Sequence, residues 1–171
     1  MINIVSCKIK KLYRKENTNI LCFFEKNRKD EIVHSILRSD GVEVYETSVA
    51  WVGYLRSQDI KMAVVSSSRN CEAVLKAADI KDLFEARVNG KLAANLGIAG
   101  KPAPDTYLKA AQLLKVEPKL CVVVEDAISG VQAGSAGGLG LLIGVNRNNH
   151  ADALINDGTN IFVADLGEML E

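Results

Sequence analysis

The sequence predicts an α/β fold in which a parallel β-sheet is covered by helices on both faces. Two observations carry this. From Lys61 onward, short β-rich runs alternate with stretches of helical period, the pattern of repeated strand–helix–strand units. The run Leu120–Asp126, LCVVVED, is nearly continuous in apolar residues, as expected of a strand buried on both faces.

Taken in order, Ile2–Ile9 and Asn19–Glu25 have β-rich patterns, and Arg28–Ser39 places Ile32, Val33, Ile36 and Leu37 on one side of a helix. Val49–Ser57 reads as a helix, Lys61–Ser66 as a strand and Asn70–Ile80 as a helix with apolar residues at helical spacing. Pro104–Lys115 is predicted helical, with Pro104 suited to a first turn that needs no N–H there. After the strand at Leu120–Asp126, a helix starts over Ala127–Gly134. Leu139–Val145 is a strand, Ala151–Asn156 a short helix and Ile161–Ala164 the last strand. Repeats and low-complexity tracts are absent from the sequence.

At 171 residues the chain suffices for one ordinary domain, and 48% hydrophobic with 25% charged residues is a globular composition. Lysine plus arginine equals aspartate plus glutamate at 21 each, so no broad basic field points to nucleic acid. The run KIKKLYRK, Lys8–Lys15, is read as a solvated surface segment. No stretch has the length and apolarity of a membrane span or secretory signal. Cys7, Cys22, Cys71 and Cys121 match neither a CxxC redox pair nor a zinc ribbon, which fits a reducing, cytoplasmic setting.

Sites in open α/β sheets form outside the carboxyl ends of the strands, and three features fall there. The segment SSSRN, Ser66–Asn70, offers hydroxyls and turn amides to an anion such as phosphate, although serine is also an ordinary helix cap. Glu125–Asp126 closes the most apolar strand, and adjacent carboxylates there must be solvated, paired or bound to a metal. Their hard oxygens suit Mg²⁺, and a role in answering helix-terminal amides stands beside that reading. In GKPAPDTY, Gly100–Tyr107, Pro102 and Pro104 stiffen the backbone on either side of Ala103, which reads either as a rigid mount aiming the Lys101 ammonium at clustered negative charge or as a proline-rich turn carrying a solvent lysine.

Together the three segments resemble the haloacid-dehalogenase-like superfamily, in its β-phosphoglucomutase-like branch. VVSSSRN is similar to the family's phosphate-binding serine motif, GKPAPDTY to its lysine motif and VVVEDAISGVQAG to its metal motif. The resemblance implies a Rossmannoid three-layer sandwich, N-terminally incomplete and carrying a remnant of the helical cap. It divides the chain into residues 1–40, a divergent segment with a cap-like helix, and an α/β core over 41–171. By the same resemblance, Lys101 and Ser66 are catalytic candidates and Glu125 and Asp126 hold Mg²⁺. Arg28, in the cap-like segment NRKDEIV, contacts the substrate together with Ser67 and Asn70. The implied substrate is a phosphorylated sugar or other small phosphate ester, with no nucleic-acid or membrane partner and homodimerisation open.

One departure stands out. The family's first strand ends in DxDG, whose first aspartate becomes an aspartyl-phosphate and whose second exchanges a proton. No DxD occurs in this chain. Asp40-Gly41-Val42 imitates the motif's tail, but Arg38 stands at the nucleophile's place. Glu25 and Asn27, after ILCFF, align by pattern, yet a longer carboxylate and an amide are poor substitutes. The expectation is therefore an impaired or inactive homologue, or a non-enzymatic binding or assembly protein on the same fold. A further expectation is that residues 1–25, NILCFFE foremost, rebuild the central strand.

Overall fold

The apolar run at the end of Leu120–Asp126 forms a strand, Cys121–Glu125, in which all five residues are buried. Its side chains alternate between two cores, as the two-residue period of a strand requires. Val123 points into one, with Tyr107, Ala110, Leu114 and Val131, and Val122 and Val124 into the other, with Trp51, Leu55, Leu75 and Phe84. The computed structural model describes residues 2–5, 26–147 and 151–170.

Among the described residues six strands make one sheet: β1 (Ile2–Val5), β2 (Met62–Val65), β3 (Ala86–Val88), β4 (Cys121–Glu125), β5 (Leu141–Val145) and β6 (Ile161–Val163). Their spatial order is β3-β2-β1-β4-β5-β6 and every pairing is parallel. The helices are α1 (Lys26–Ser39), α2 (Glu46–Ser57), α3 (Cys71–Ala77), α4 (Gly90–Leu96), α5 (Asp105–Leu114), α6 (Ile128–Ala136) and α7 (Ala151–Asn156). α2 and α3 cover one face through Trp51, Val52, Leu55 and Leu75. α5, α6 and α7 cover the other through Tyr107, Ala111, Val131 and Leu154. The result is the three-layer Rossmannoid sandwich expected from the sequence. Among the described residues no helix is long and apolar enough to cross a membrane.

The centre of the sheet belongs to Ile2–Val5. Asn3, Ile4 and Val5 pair with Met62, Ala63 and Val64 on one side and with Val122, Val123 and Val124 on the other. Within residues 1–25 it is thus the first β-rich run that takes the central place; Asn19–Glu25 lies outside the described residues. Lys26 and Asn27 open helix α1, so Asn27 does not end a strand.

Two elements escape the sequence reading. β3 has only three residues and stops at Asn89-Gly90, a dipeptide that reads as a turn. Here it starts a helix instead: the Asn89 side chain accepts from the Leu92 N–H at 2.9 Å as an N-cap, and α4 runs to a left-handed Gly97 at φ 64°.

Candidate active site

The strand order reverses direction at β1, with β2 and β3 to one side and β4 to β6 to the other, so a crevice opens beyond the carboxyl ends of the central strands. Val5 stands opposite both Val64 and Val124. Ser66 and Asp126 each lie two residues past that level, flanking β1 about two strand spacings, or roughly 10 Å, apart. Register thus brings the serine motif and the acidic pair to one edge. The two residues that follow Val5 in the sequence are Ser6 and Cys7, neither a carboxylate.

After β2 the serine segment folds on its own hydroxyls. The Ser66 N–H donates to the Val88 carbonyl at 2.9 Å, Ser66 Oγ accepts from the Ser68 N–H at 3.2 Å, and Ser68 Oγ accepts from the Asn70 N–H at 3.1 Å. The two hydroxyl bonds are local turn bonds, not a side-chain cap on α3, whose N-cap residue Asn70 makes none. Ser67 is exposed. Gly90 presses against this turn: its N–H donates to the Ser68 carbonyl, and a Cβ there would lie 2.3 Å from the Ser67 oxygen. The Asn70 amide donates to Asp30 of α1 at 2.8 Å, tying that helix to the serine turn. Arg28 lies in the first turn of α1, and its side chain is outside what is described.

On the other side of β1 the lysine and the acidic pair meet. Lys101 precedes a cis peptide bond to Pro102, and Pro104 occupies the N-cap position of α5. The ammonium forms an ion pair with Glu125 Oε1, and both side chains are buried, at 8% and 2% exposure. Tyr107, from the first turn of α5, donates its hydroxyl to the same oxygen at 3.0 Å, with its ring 4.8 Å below the ammonium. Oε2 accepts from the backbone N–H groups of Asp126 and Ala127 at 2.9 and 3.1 Å. Burial, and then the negative charge of Glu125, push the Tyr107 phenol well above its ordinary range, so it stays a neutral donor.

Among the described residues Glu125 receives these four donors, about as many as a carboxylate has acceptor sites. Close approach of Gly130 makes the arrangement possible, since a Cβ there would meet Oε1 at 2.1 Å. Asp126, also buried, is the second hard-oxygen donor at this edge. No group of three or more metal-ligating side chains occurs among the described residues. Mg²⁺ is ordinarily held by one or two carboxylates with water and substrate phosphate, so Asp126, beside Glu125, fits that ion without an all-protein cage.

Asp126 also faces a cleft of about 60 Å³ between α2, α3 and the sheet, with Glu43, Tyr45, Ser48 and Arg147 among its lining. The Arg147 guanidinium lies 3.3 Å over the Tyr45 ring and donates to Ser48 Oγ at 2.5 Å. Arg147, Tyr107, Gly90 and Gly130 were not singled out from the sequence. Arg147 had a signal, because it lies two residues past the end of β5. The glycines had none short of the packing itself.

Comparison with known proteins places this arrangement among relatives. A family model described as haloacid dehalogenase-like hydrolase matches residues 7–138. A β-phosphoglucomutase of Mycobacterium bovis is 40% identical over 147 residues, covering 84% of this chain and 56% of its own length. The chain thus spans little more than half of that curated relative. Among solved structures, a Thermotoga maritima protein provisionally named a β-phosphoglucomutase superposes with a TM-score of 0.73 at 28% identity, covering 85% of this chain and 66% of the other. A haloacid-dehalogenase-family hydrolase from Deinococcus radiodurans, solved with bound phosphate and sodium, gives 0.69 at 28% identity, covering 83% and 61%.

Proposed function

The chain belongs to the haloacid dehalogenase-like hydrolase family, in its β-phosphoglucomutase-like branch, and from that premise we propose that it binds a phosphorylated sugar or similar phosphate ester with Mg²⁺ while turning it over poorly or not at all. The observation that carries this reading is the buried Lys101–Glu125 pair beside Asp126 at the sheet edge, in a chain whose sequence has no DxD.

In this reading Asp126 would hold the metal, with Glu125 beside it anchoring Lys101. When bound, Mg²⁺ screens the charge of the phosphate oxygens. Lys101 adds a cation in a water-poor setting, where charge stabilisation is strongest. Ser66 donates its hydroxyl to a phosphate oxygen, Ser67 and Asn70 stand beside it in the same turn, and Arg28 is the candidate contact for the rest of the substrate. An in-line attack on phosphorus needs a nucleophile at the end of the central strand, and the two residues directly after Val5 in the sequence are Ser6 and Cys7.

The test is calorimetry with Mg²⁺ and orthovanadate, a phosphate mimic, on wild type and Asp126→Ala. Binding in the wild type that is lost in the variant supports the reading, and no binding, or binding indifferent to Asp126→Ala, sinks it. Turnover of phosphosugars that vanishes on Glu25→Gln would instead establish a replacement nucleophile. The missing DxD equally favours a second reading, a non-enzymatic binding or assembly protein on the inherited fold, which predicts neither metal nor vanadate binding.

A further inference from the structure

We propose that Tyr107 is a positioning residue, holding the Lys101 ammonium at the anion-binding edge by occupying an acceptor site of Glu125. This rests on the reading of Lys101 as a phosphate-facing cation. The side chain is fully buried, and packing alone would be satisfied by phenylalanine. What the hydroxyl adds is specific. It donates to Oε1, the oxygen that also takes the ammonium, while the ring lies under the same ammonium. Tyrosine, lysine and glutamate thus close a triangle, with Oε2 clamped by two backbone N–H groups and Gly130 leaving no room for the carboxylate to slide.

The consequence follows from counting donors. A lysine ammonium has three N–H groups and each one spent on Glu125 is lost to a substrate oxygen. With the phenol in place, Oε1 has no second site to offer Lys101. Without it, the ammonium can turn a further N–H onto the carboxylate and retreat from the edge.

The experiment titrates inorganic orthophosphate into the full chain with Mg²⁺ present, in wild type, Tyr107→Phe, Lys101→Met and the double variant, each checked for folding by near-ultraviolet circular dichroism. Tyr107→Phe is expected to weaken orthophosphate about fivefold, the scale of one hydrogen bond. In the Lys101→Met background the same change is expected to have no further effect, since the hydroxyl acts through the ammonium. Unchanged affinity in Tyr107→Phe overturns the proposal, as does an equal loss in both backgrounds or failure of Tyr107→Phe to fold, which would assign the hydroxyl to the core. A wild type that does not bind orthophosphate fails at an earlier step, removing the reading of Lys101 on which the proposal stands.

Discussion

The α carbon of Gly130 lies so close beneath Glu125 that a methyl group on it would stand 2.1 Å from Oε1 and 2.2 Å from the carboxyl carbon. Because the carboxylate is held by two side chains and two backbone groups, it has nowhere to yield. Gly130→Ala is expected to cost about 2–3 kcal/mol by overpacking and to abolish vanadate binding. Gly53, inside α2 with nothing near its missing Cβ, is the control. Gly53→Ala is expected to stabilise by roughly 0.5–1 kcal/mol from helix propensity. Urea unfolding measures both.

Lys101→Met removes the cation from a carboxylate that is 2% exposed and leaves that charge buried. The expected loss is about 3 kcal/mol. Adding Glu125→Gln to Lys101→Met removes the orphaned charge, so the double variant should recover most of that loss. A double variant less stable than Lys101→Met alone would contradict the pairing.

Alkaline titration should unfold the protein early. Burial raises the Cys121 thiol above its ordinary 9.0, and burial with the Glu125 charge raises the Tyr107 phenol well above 10.0. Both groups bind protons more tightly folded than unfolded. Their contribution is complete below about pH 9 and is lost as pH rises past 9.0 for the thiol and 10.0 for the phenol, toward the higher folded values. Tyr107→Phe should flatten the part of the decline above pH 10 in melts followed across pH. Cys121 should also resist alkylation by iodoacetamide until the chain unfolds.

Gly90→Ala should spread the serine turn. The added methyl meets backbone at 2.3 Å, the Ser67 carbonyl, and backbone cannot rotate away as a side-chain end can. The expected outcome is a loss of about 1–3 kcal/mol with weakened orthophosphate binding, read by calorimetry and urea unfolding.

Much of this architecture was legible beforehand because its signals are local. The burial of β4 on both faces, the helical spacing of α5 and the proline mount of Lys101 can each be read within a dozen residues. The three site segments could be recognised for the same reason. β3 was hidden because three residues give no period and Asn89-Gly90 imitates a hairpin turn. The assignment of the central strand turned on pairing partners far along the chain, which pattern alone does not rank. Tyr107 was part of the lysine motif, but its hydroxyl acquires meaning only when β4 brings Glu125 to it. Gly90 and Gly130 matter for what is absent at their Cβ, a property of the neighbours and not of the residues.

The central position of β1 also sets the order of events during synthesis. Ile4 is paired with Ala63 and Val123, partners roughly 60 and 120 residues downstream. At ribosomal rates of about 5–20 residues per second, its second neighbour emerges on the order of ten seconds after it. Until then the strand that organises both halves of the sheet has no complete ladder, and closing it means closing two long loops at once. Folding of this protein is therefore expected to be slow and concerted, governed by the last ladder to arrive and not by its many short helices.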